Sequence, residues 1–364
     1  MLFEPLVTAS LQLANRVVMA PMTRNRAVDA NTPNALMANY YGQRASAGLI
    51  ITEGTSPSPN GLGYARIPGL FNQAQVRGWK TVTDAVHASG GKIFVQLMHA
   101  GRVSHRANLP AGAEVLGPMA DACPGEIYTD AQGMQPHSPP RAMTAIDIAD
   151  AVDEYTKSAQ LAIEAGFDGV ELHAANGYLI EQFLNAHVNQ RTDDYGDSIE
   201  GRNRFALEVA RATAAAIGAD RVGIRLSPYG VFNSTGAFPD VEAQYLALTQ
   251  ELSNLGLLYV HLLDHSAMGA PPVPAEFKSR LRSVFQGLFI LAGGFDRAGA
   301  EAALKAGQAD LIAFAKSFLA NPDLVERMRT DATLNALDMA TFYTPGSKGY
   351  TDYPVLADSH AQQA

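Results

Sequence analysis

The sequence predicts an α/β protein and, within that class, a (β/α)8 barrel of the TIM type. Two observations carry the prediction. Eight short runs are apolar almost throughout, as strands of a parallel sheet are when both faces are covered. Each is followed by a stretch with helical periodicity, so strand and helix alternate along the chain. A doubly wound open sheet has the same alternation, and the number of strands does not by itself prove closure.

In chain order, residues 2–13 precede the first strand and are expected to form a small hairpin capping the barrel bottom. Strand one is RVVMAPM (16–22), followed by a helix over 34–47. Strand two is GLIITEGT (48–55), with a helix over 73–89, and strand three is GKIFVQLMH (91–99). Residues 100–145 then break the repeat; the segment is rich in Gly and Pro. A loop of that length in a compact enzyme reads as a lid or a specificity loop. A helix over 146–165 leads to strand four, FDGVELHA (167–174), and a helix over 198–217 to strand five, RVGIRLSP (221–228). Helix 240–255, strand six LLYVHLLD (257–264), helix 276–286 and strand seven LFILAGG (288–294) continue the alternation. Asp296 is a cap-type residue and opens a helix over 296–306. Strand eight is ADLIAFAK (309–316), and Asn321-Pro322 reads as the start of a last helix over 321–331. The tail 355–364 reads as frayed. With no linker or low-complexity tract, residues 1–364 are expected to form a single domain.

Hydrophobic residues make up 47% of the chain and charged residues 17%, as a well-buried core requires. The net charge of −9 argues against nucleic acid or an anionic membrane as a main partner. Cys123 is the sole cysteine, which excludes an intramolecular disulfide and a cysteine metal cluster, and it reads as a loop thiol. The N-terminal MLFEPLVTASLQLANR lacks the basic start and apolar run of a secretory signal, and no apolar stretch is long enough to span a membrane. A soluble cytoplasmic protein is expected, with no membrane partner; the oligomeric state is left open.

Barrel enzymes carry their chemistry at the C-terminal ends of the strands. The polar residues expected there begin with Thr23 and Arg24 after strand one, and Glu53 and Gly54 after strand two. Strand three contains Gln96 and His99, strand five carries Arg225, and strands seven and eight end in Gly293-Gly294 and Lys316. The most informative stretch is VELHAANGYLIEQFLN (170–185). His173 and Asn176 can both donate to one oxygen, and Tyr178 can deliver a proton beside it. That set suits polarising a carbonyl and protonating a neighbouring carbon. Singly, each residue has a plain explanation: a satisfied core histidine, a turn residue before Gly177, a packing tyrosine. Gly293-Gly294 before a helix suits a phosphate, although a tight turn has the same appearance; Lys316 adds a second donor. Arg225 inside an apolar strand calls for an anionic partner, either a core carboxylate or a ligand. Gln96 can donate and accept, as an imide edge requires. The remaining histidines, including His261 and His265, show no metal-ligand spacing, and no metal site is expected. GxSxG, a Walker loop and a GxGxxG following a strand are all absent.

At these residues the chain resembles the Old Yellow Enzyme family of FMN-dependent ene-reductases, in particular its N-ethylmaleimide reductase and pentaerythritol tetranitrate reductase branch. The resemblance runs from Phe3 to about Pro354. It rests on NRVVMAPMTRNRA (15–27), YYGQRASAGLIITEGT (40–55), QLMHAGRVSH (96–105), VELHAANGYLIEQFLNAHVNQRTDDYG (170–196), RLSP (225–228) and GYTDYP (349–354). It implies bound FMN, with NADPH or NADH as a transient hydride donor. Pro21 and Met22 would pack by the flavin ring, and Thr23 would hydrogen-bond its C4 carbonyl. Gly54 and Gln96 would hold the pyrimidine edge, with Arg225 near N1 and the C2 carbonyl. Gly293, Gly294 and Lys316 would hold the phosphate. His173 and Asn176 would bind the substrate oxygen, Tyr64 and Met98 would line the substrate space, and Tyr178 would be the proton donor. Hydride would pass from flavin N5 to the β-carbon of an enone, maleimide or nitroalkene, with trans addition of the proton to the α-carbon. The same site would alternatively reduce nitrate esters or nitroaromatics. Two rivals from other classes are a flavin-free barrel, which would need a Schiff-base lysine or a metal, and a non-catalytic binding barrel.

The chain departs from the family pattern in places. Ala315-Lys316-Ser317 replaces Gly-Arg-Pro, keeping a charge but losing the bidentate fork. Met98 replaces a frequent Trp, from which a roomier pocket is expected. Asn176 stands where some relatives have a second His, and Asp197 and Gly201 depart from the usual YGGSxENR run.

Overall fold

The eight expected strands pair in chain order and close. In the computed structural model, which describes residues 1–356, β1 (Val17–Met19), β2 (Leu49–Ile51), β3 (Ile93–Leu97) and β4 (Gly169–Ala174) are consecutive neighbours. They are followed by β5 (Val222–Leu226), β6 (Tyr259–Leu263), β7 (Leu288–Ala292) and β8 (Leu311–Phe314). β8 returns to β1, with Ile312 opposite Val17, and every pair is parallel. That last pairing excludes the open sheet.

The outer ring is α1 (Ala35–Gly42), α2 (Gln73–Ala88), α3 (Ala145–Glu164), α4 (Ile199–Ile217), α5 (Val241–Asn254), α6 (Ala275–Val284), α7 (Arg297–Lys305) and α8 (Leu324–Thr330). Several begin where a side-chain oxygen accepts one of the orphan N–H groups of a first turn. Asn34, Asn72, Ser198 and Asp296 each do so, and Thr144 with Asp147 makes a full capping box. No helix among the described residues is long and apolar enough to cross a membrane.

The elements differ from expectation in four places. First, α1 stops at Gly42 rather than 47, because the following residues form turns in which Ala45 and Ala47 donate to Gly42 and Arg44 carbonyls. Second, the last helix is split in two. A short helix, Lys316–Ala320, precedes α8, and the break falls at Pro322, which has no N–H to continue it. Strand eight accordingly ends at Phe314, and Lys316 opens a helix instead of closing a strand. Third, a short helix, Leu179–Leu184, directly follows β4, with Tyr178 at its N-cap. Fourth, of the expected frayed tail, residues 357–364 lie outside the described residues, whereas the Leu356 N–H is tied to Asp323.

The N-terminal hairpin is present as Leu6–Val7 paired with Gln12–Leu13. Its Leu11 and Leu13 pack with Leu49, Leu258 and Leu311 at the start of the strands, sealing the barrel bottom with apolar side chains. The 100–145 segment is not structureless. It contains an antiparallel ribbon, Glu126–Thr129 with Gly133–Pro136, and Leu116–Gly117 paired with Arg141–Ala142.

Above the apolar plug the barrel interior becomes polar. Register places Gln96 beside Glu171, and His173, Arg225 and His261 in one row across three strands. Gly223 makes room for this layer, since a Cβ there would sit 2.1 Å from the Tyr259 ring.

The departures at Asp197 and Gly201 acquire a structural reading. A Cβ on Gly201 would lie 2.1 Å from the Gly196 carbonyl oxygen, so the glycine lets α4 start hard against the preceding turn. Asp197 has φ 63° in that turn, and its carbonyl accepts from buried Arg202.

Candidate active site

At the C-terminal mouth of the barrel lies a cavity of about 480 Å³. Its lining includes Pro21, Met22, Thr23, Gly54, Gln96, Met98, His173, Asn176, Tyr178, Arg225, Gly293, Gly294 and Lys316. Thus seven of the eight strand ends each deliver at least one expected residue to one space. Arg24, Glu53 and His99, also expected at strand ends, line neither this cavity nor the next, and Tyr64 lies outside it too. Tyr64 lines a neighbouring cavity of about 760 Å³, walled in part by Ile127, Tyr128 and Met134 of the ribbon. Thr23, Asn176 and Tyr178 border both cavities. The Tyr64 and Tyr178 hydroxyls are 3.0 Å apart, so Tyr64 reaches the site through Tyr178.

Met98 does not leave the open space expected of it. It is 1% exposed, packed with Leu62, Ile67, Cys123 and Tyr178, and its sulfur fills the place where a Gly54 Cβ would be. Cys123 is in a loop as expected but is buried in this cluster.

The motif after β4 is shaped by backbone as much as by side chains. Asn176 has φ 59° and Gly177 φ 74°, a left-handed pair that turns the chain from strand to helix. The turn is held by a carboxylate that the sequence reading passed over. Glu181 is 2% exposed and accepts from the Gly177 N–H (2.5 Å), the Ser227 hydroxyl (2.8 Å) and the Tyr245 hydroxyl (3.2 Å). Burial, only partly offset by those donors, raises its carboxyl to about 7.

His173 is buried and makes no hydrogen bond to the described residues, and its Nδ1 is unpartnered. Burial, reinforced by the Arg225 charge, holds it well below the ordinary histidine range, so the ring is neutral at neutral pH. Its ring meets that of Tyr178 edge to face at 4.9 Å. Burial pushes the Tyr178 phenol up to about 12.

Beneath lies a network of which the sequence reading had only Gln96 and Arg225. Glu171 Oε1 accepts from Gln96 Nε2 and its Oε2 from His261 Nδ1, both at 2.8 Å. Burial alone would raise Glu171, but His261, Arg225 and Gln96 outweigh it, and the carboxyl lies below its usual range. Because a carboxylate can only accept, it fixes the Gln96 amide with nitrogen toward Glu171 and oxygen toward the cavity. Arg225, 6% exposed, makes no hydrogen bond or ion pair among the described residues, and its Nε is orphaned. A guanidinium placed so has donors aimed at something that is not protein.

The phosphate end is less closed. Gly293 and Gly294 have φ of 136° and 71°, and a Cβ on Gly293 would lie 2.4 Å from the Asp264 carbonyl. Asp296 takes one N–H of the first turn of α7, accepting from Gly299 at 2.7 Å. Among the cavity-lining residues, the N–H groups of Gly294, Lys316 and Ser317 donate to no described residue and are open to an anion, as is the exposed Lys316 ammonium. A cationic donor, a free carbonyl oxygen and a glycine cradle on one wall fit the edge and phosphate of FMN.

One wall comes from the far end of the chain. Phe342 and Tyr343 line the cavity and are pinned by two buried arginines that follow β1. Arg24 donates to the Phe342 and Gly349 carbonyls (3.1 and 2.7 Å) and to Tyr40, with the Tyr350 ring 5.0 Å from its carbon. Arg26 donates to the Phe342 and Thr341 carbonyls.

The chain as a whole is similar to known flavin enzymes. Residues 1–335 match the model of the NADH:flavin oxidoreductase / NADH oxidase family. The chain is 42% identical to 12-oxophytodienoate reductase 7 of Oryza sativa subsp. japonica, over 98% of this chain and 94% of that one. It is 41% identical to a probable flavin mononucleotide-dependent alkene reductase of Leishmania infantum, over 98% and 97% of the two chains. The structure of morphinone reductase superposes with a TM-score of 0.94 at 45% identity, covering 99% of this chain and 97% of that one. Fold and sequence agree: the chain belongs to the NADH:flavin oxidoreductase / NADH oxidase family, as an FMN-dependent Old Yellow Enzyme.

Proposed function

We propose that the protein reduces the activated C=C bond of α,β-unsaturated carbonyl compounds, using NADPH or NADH. The observation that carries this reading is the convergence of His173, Asn176 and Tyr178 on one cavity, above the unpaired Arg225 guanidinium. Relatives whose names specify oxophytodienoate or alkene reduction point to the same kind of bond. Bound FMN supplies the hydride, having taken one from the nicotinamide.

The chain's own residues do the rest. His173 and Asn176 donate to the substrate oxygen and draw electron density from the alkene. The high Tyr178 pKa keeps the phenol protonated, so it holds the proton that the α-carbon receives. Arg225 offers fixed positive charge where the reduced cofactor gathers negative charge. Gln96 presents its carbonyl to an imide N–H, Thr23 offers a hydroxyl, and Gly54 contributes backbone to the same edge; Pro21 and Met22 face the ring. Gly293, Gly294 and Lys316 bind the phosphate. Met98 and Tyr64 shape the substrate space, Tyr64 through its bond to Tyr178. Enones, maleimides and nitroalkenes are the substrates this arrangement fits.

The test is the visible spectrum of the FMN-loaded protein under anaerobic conditions, first with NADPH or NADH and then with cyclohexenone. Bleaching followed by prompt recovery supports the reading. Recovery only with a nitrate ester or nitroaromatic would move the assignment to those acceptors. No flavin binding would overturn it.

A further inference from the structure

Asn176 can present either an amide hydrogen or an amide oxygen to the cavity, and only the hydrogen helps a carbonyl substrate. Its backbone is fixed independently of that choice. Its N–H donates to Ser227 Oγ at 2.9 Å, and its carbonyl accepts from Asn233 Nδ2 at 2.7 Å. The side chain has one protein partner, His265, whose Nε2 lies 2.8 Å from Asn176 Oδ1.

His265 follows β6 by two residues, lines the same cavity and is 3% exposed. Phe232 packs against its ring at 4.8 Å. The other ring nitrogen, Nδ1, is buried without a partner and faces the Gly230 backbone, where a Cβ would sit 2.9 Å away. A buried N–H with no acceptor costs more than a buried lone pair with no donor. The single proton of the neutral ring therefore belongs on Nε2. Burial and the Arg225 charge keep the ring neutral, with its pKa lowered to about 4.

We infer that His265 is a positioning residue: its Nε2–H holds the Asn176 amide oxygen and so turns the amide hydrogens toward the substrate oxygen. The opposite tautomer would flip the amide and set an oxygen against the carbonyl. The inference rests on the ene-reductase reading for the benefit to catalysis, but the tautomer itself does not.

Two measurements on the FMN-loaded protein test it. Nitrogen–proton correlation spectra of ¹⁵N-histidine-labelled protein should show His265 protonated at Nε2; a proton on Nδ1 overturns the inference whatever the activity. In turnover with cyclohexenone, His265→Leu should lower kcat/KM about tenfold, the worth of one oriented hydrogen bond. His265→Gln, whose amide can donate to the same oxygen, should recover most of that loss. In an Asn176→Ala background His265→Leu should do nothing further, which a merely structural role would not predict. Equal losses in both backgrounds, or Gln no better than Leu, would overturn the role. Failure of the unmutated protein to reduce cyclohexenone would instead sink the ene-reductase reading and leave the tautomer result standing.

Discussion

The hydroxyl oxygens of Tyr64 and Tyr178 are 3.0 Å apart, with the rings edge to face at 6.2 Å, so two phenols share one hydrogen bond at the boundary between two cavities. That bond opposes the rise that burial imposes on Tyr178. Tyr178→Phe should slow cyclohexenone reduction by about 100-fold, the usual scale of a lost general acid, and nitroalkene reduction much less. Tyr64→Phe, which removes the partner only, should slow the enone by about tenfold or less. Turnover numbers on the two substrate types decide this; equal slowing of both by Tyr178→Phe would remove it as proton donor.

Glu171 is the counter-charge of the barrel interior. In Glu171→Gln the Arg225 guanidinium stays buried with no carboxylate nearby, and the one remaining oxygen serves Gln96 or His261, leaving the other donor without its acceptor. Removing one partner of such a buried set typically costs about 3–5 kcal/mol. Urea unfolding of the variant should show that loss, and binding of FMN, whose ring edge would give the Arg225 donors an acceptor, should offset part of it. An unchanged unfolding midpoint would mean that Arg225 is neutralised by something other than Glu171.

Lys316 is exposed and has no ion pair among the described residues, so its contact with a phosphate is screened by salt. The dissociation constant for FMN should rise with ionic strength, and Lys316→Met should raise it by about tenfold at low salt while flattening the salt dependence. Lys316→Arg, with its bidentate fork, should tighten binding. Flavin fluorescence titration at several salt concentrations is the measurement.

His99 is 1% exposed, with Nδ1 accepting from the Gly101 N–H and Nε2 unpartnered. Burial lowers it from 6.5 to about 3. Below 6.5 the unfolded chain takes a proton there that the folded protein refuses. The resulting stability is complete above 6.5 and is lost as pH falls toward 3. His99→Asn keeps an acceptor for Gly101 and removes the titration. It should flatten the dependence of unfolding free energy on pH between about 6 and 4 by up to about 1.4 kcal/mol per pH unit. Glu53 and Glu181, both raised to about 7 by burial, act in the other sense. Their contribution is lost as pH rises from 4.5 to 7, so the comparison is made against the unmutated protein at each pH.

Much of this was legible beforehand for a physical reason. A strand buried on both faces has to be apolar, so a polar residue within one stands out. That argument singled out Arg225. Applied evenly, it would also have found Glu171 and His261, which lie in equally apolar strands, at positions that register sets beside Gln96 and Arg225. Metal-ligand spacing is the wrong test for His261 and His265, which lack it. Other residues carried no local signal. Glu181 looks like any helix carboxylate until the turn places Ser227 and Tyr245 around it. The split at Pro322 was visible, but the proline was read as a helix start because it also suits a first turn.

The clamp between Arg24 and the Phe342 carbonyl joins residues 318 positions apart. A growing chain makes all eight barrel strands before the Phe342–Tyr343 wall. Until that stretch leaves the ribosome, Arg24 has neither of its backbone acceptors, and the mouth of the barrel is open along one side. The flavin pocket therefore has all of its walls only when residues on both sides of the barrel sequence are present together. A chain cut before Phe342 would keep every barrel strand and still lack one side of the cofactor's mouth.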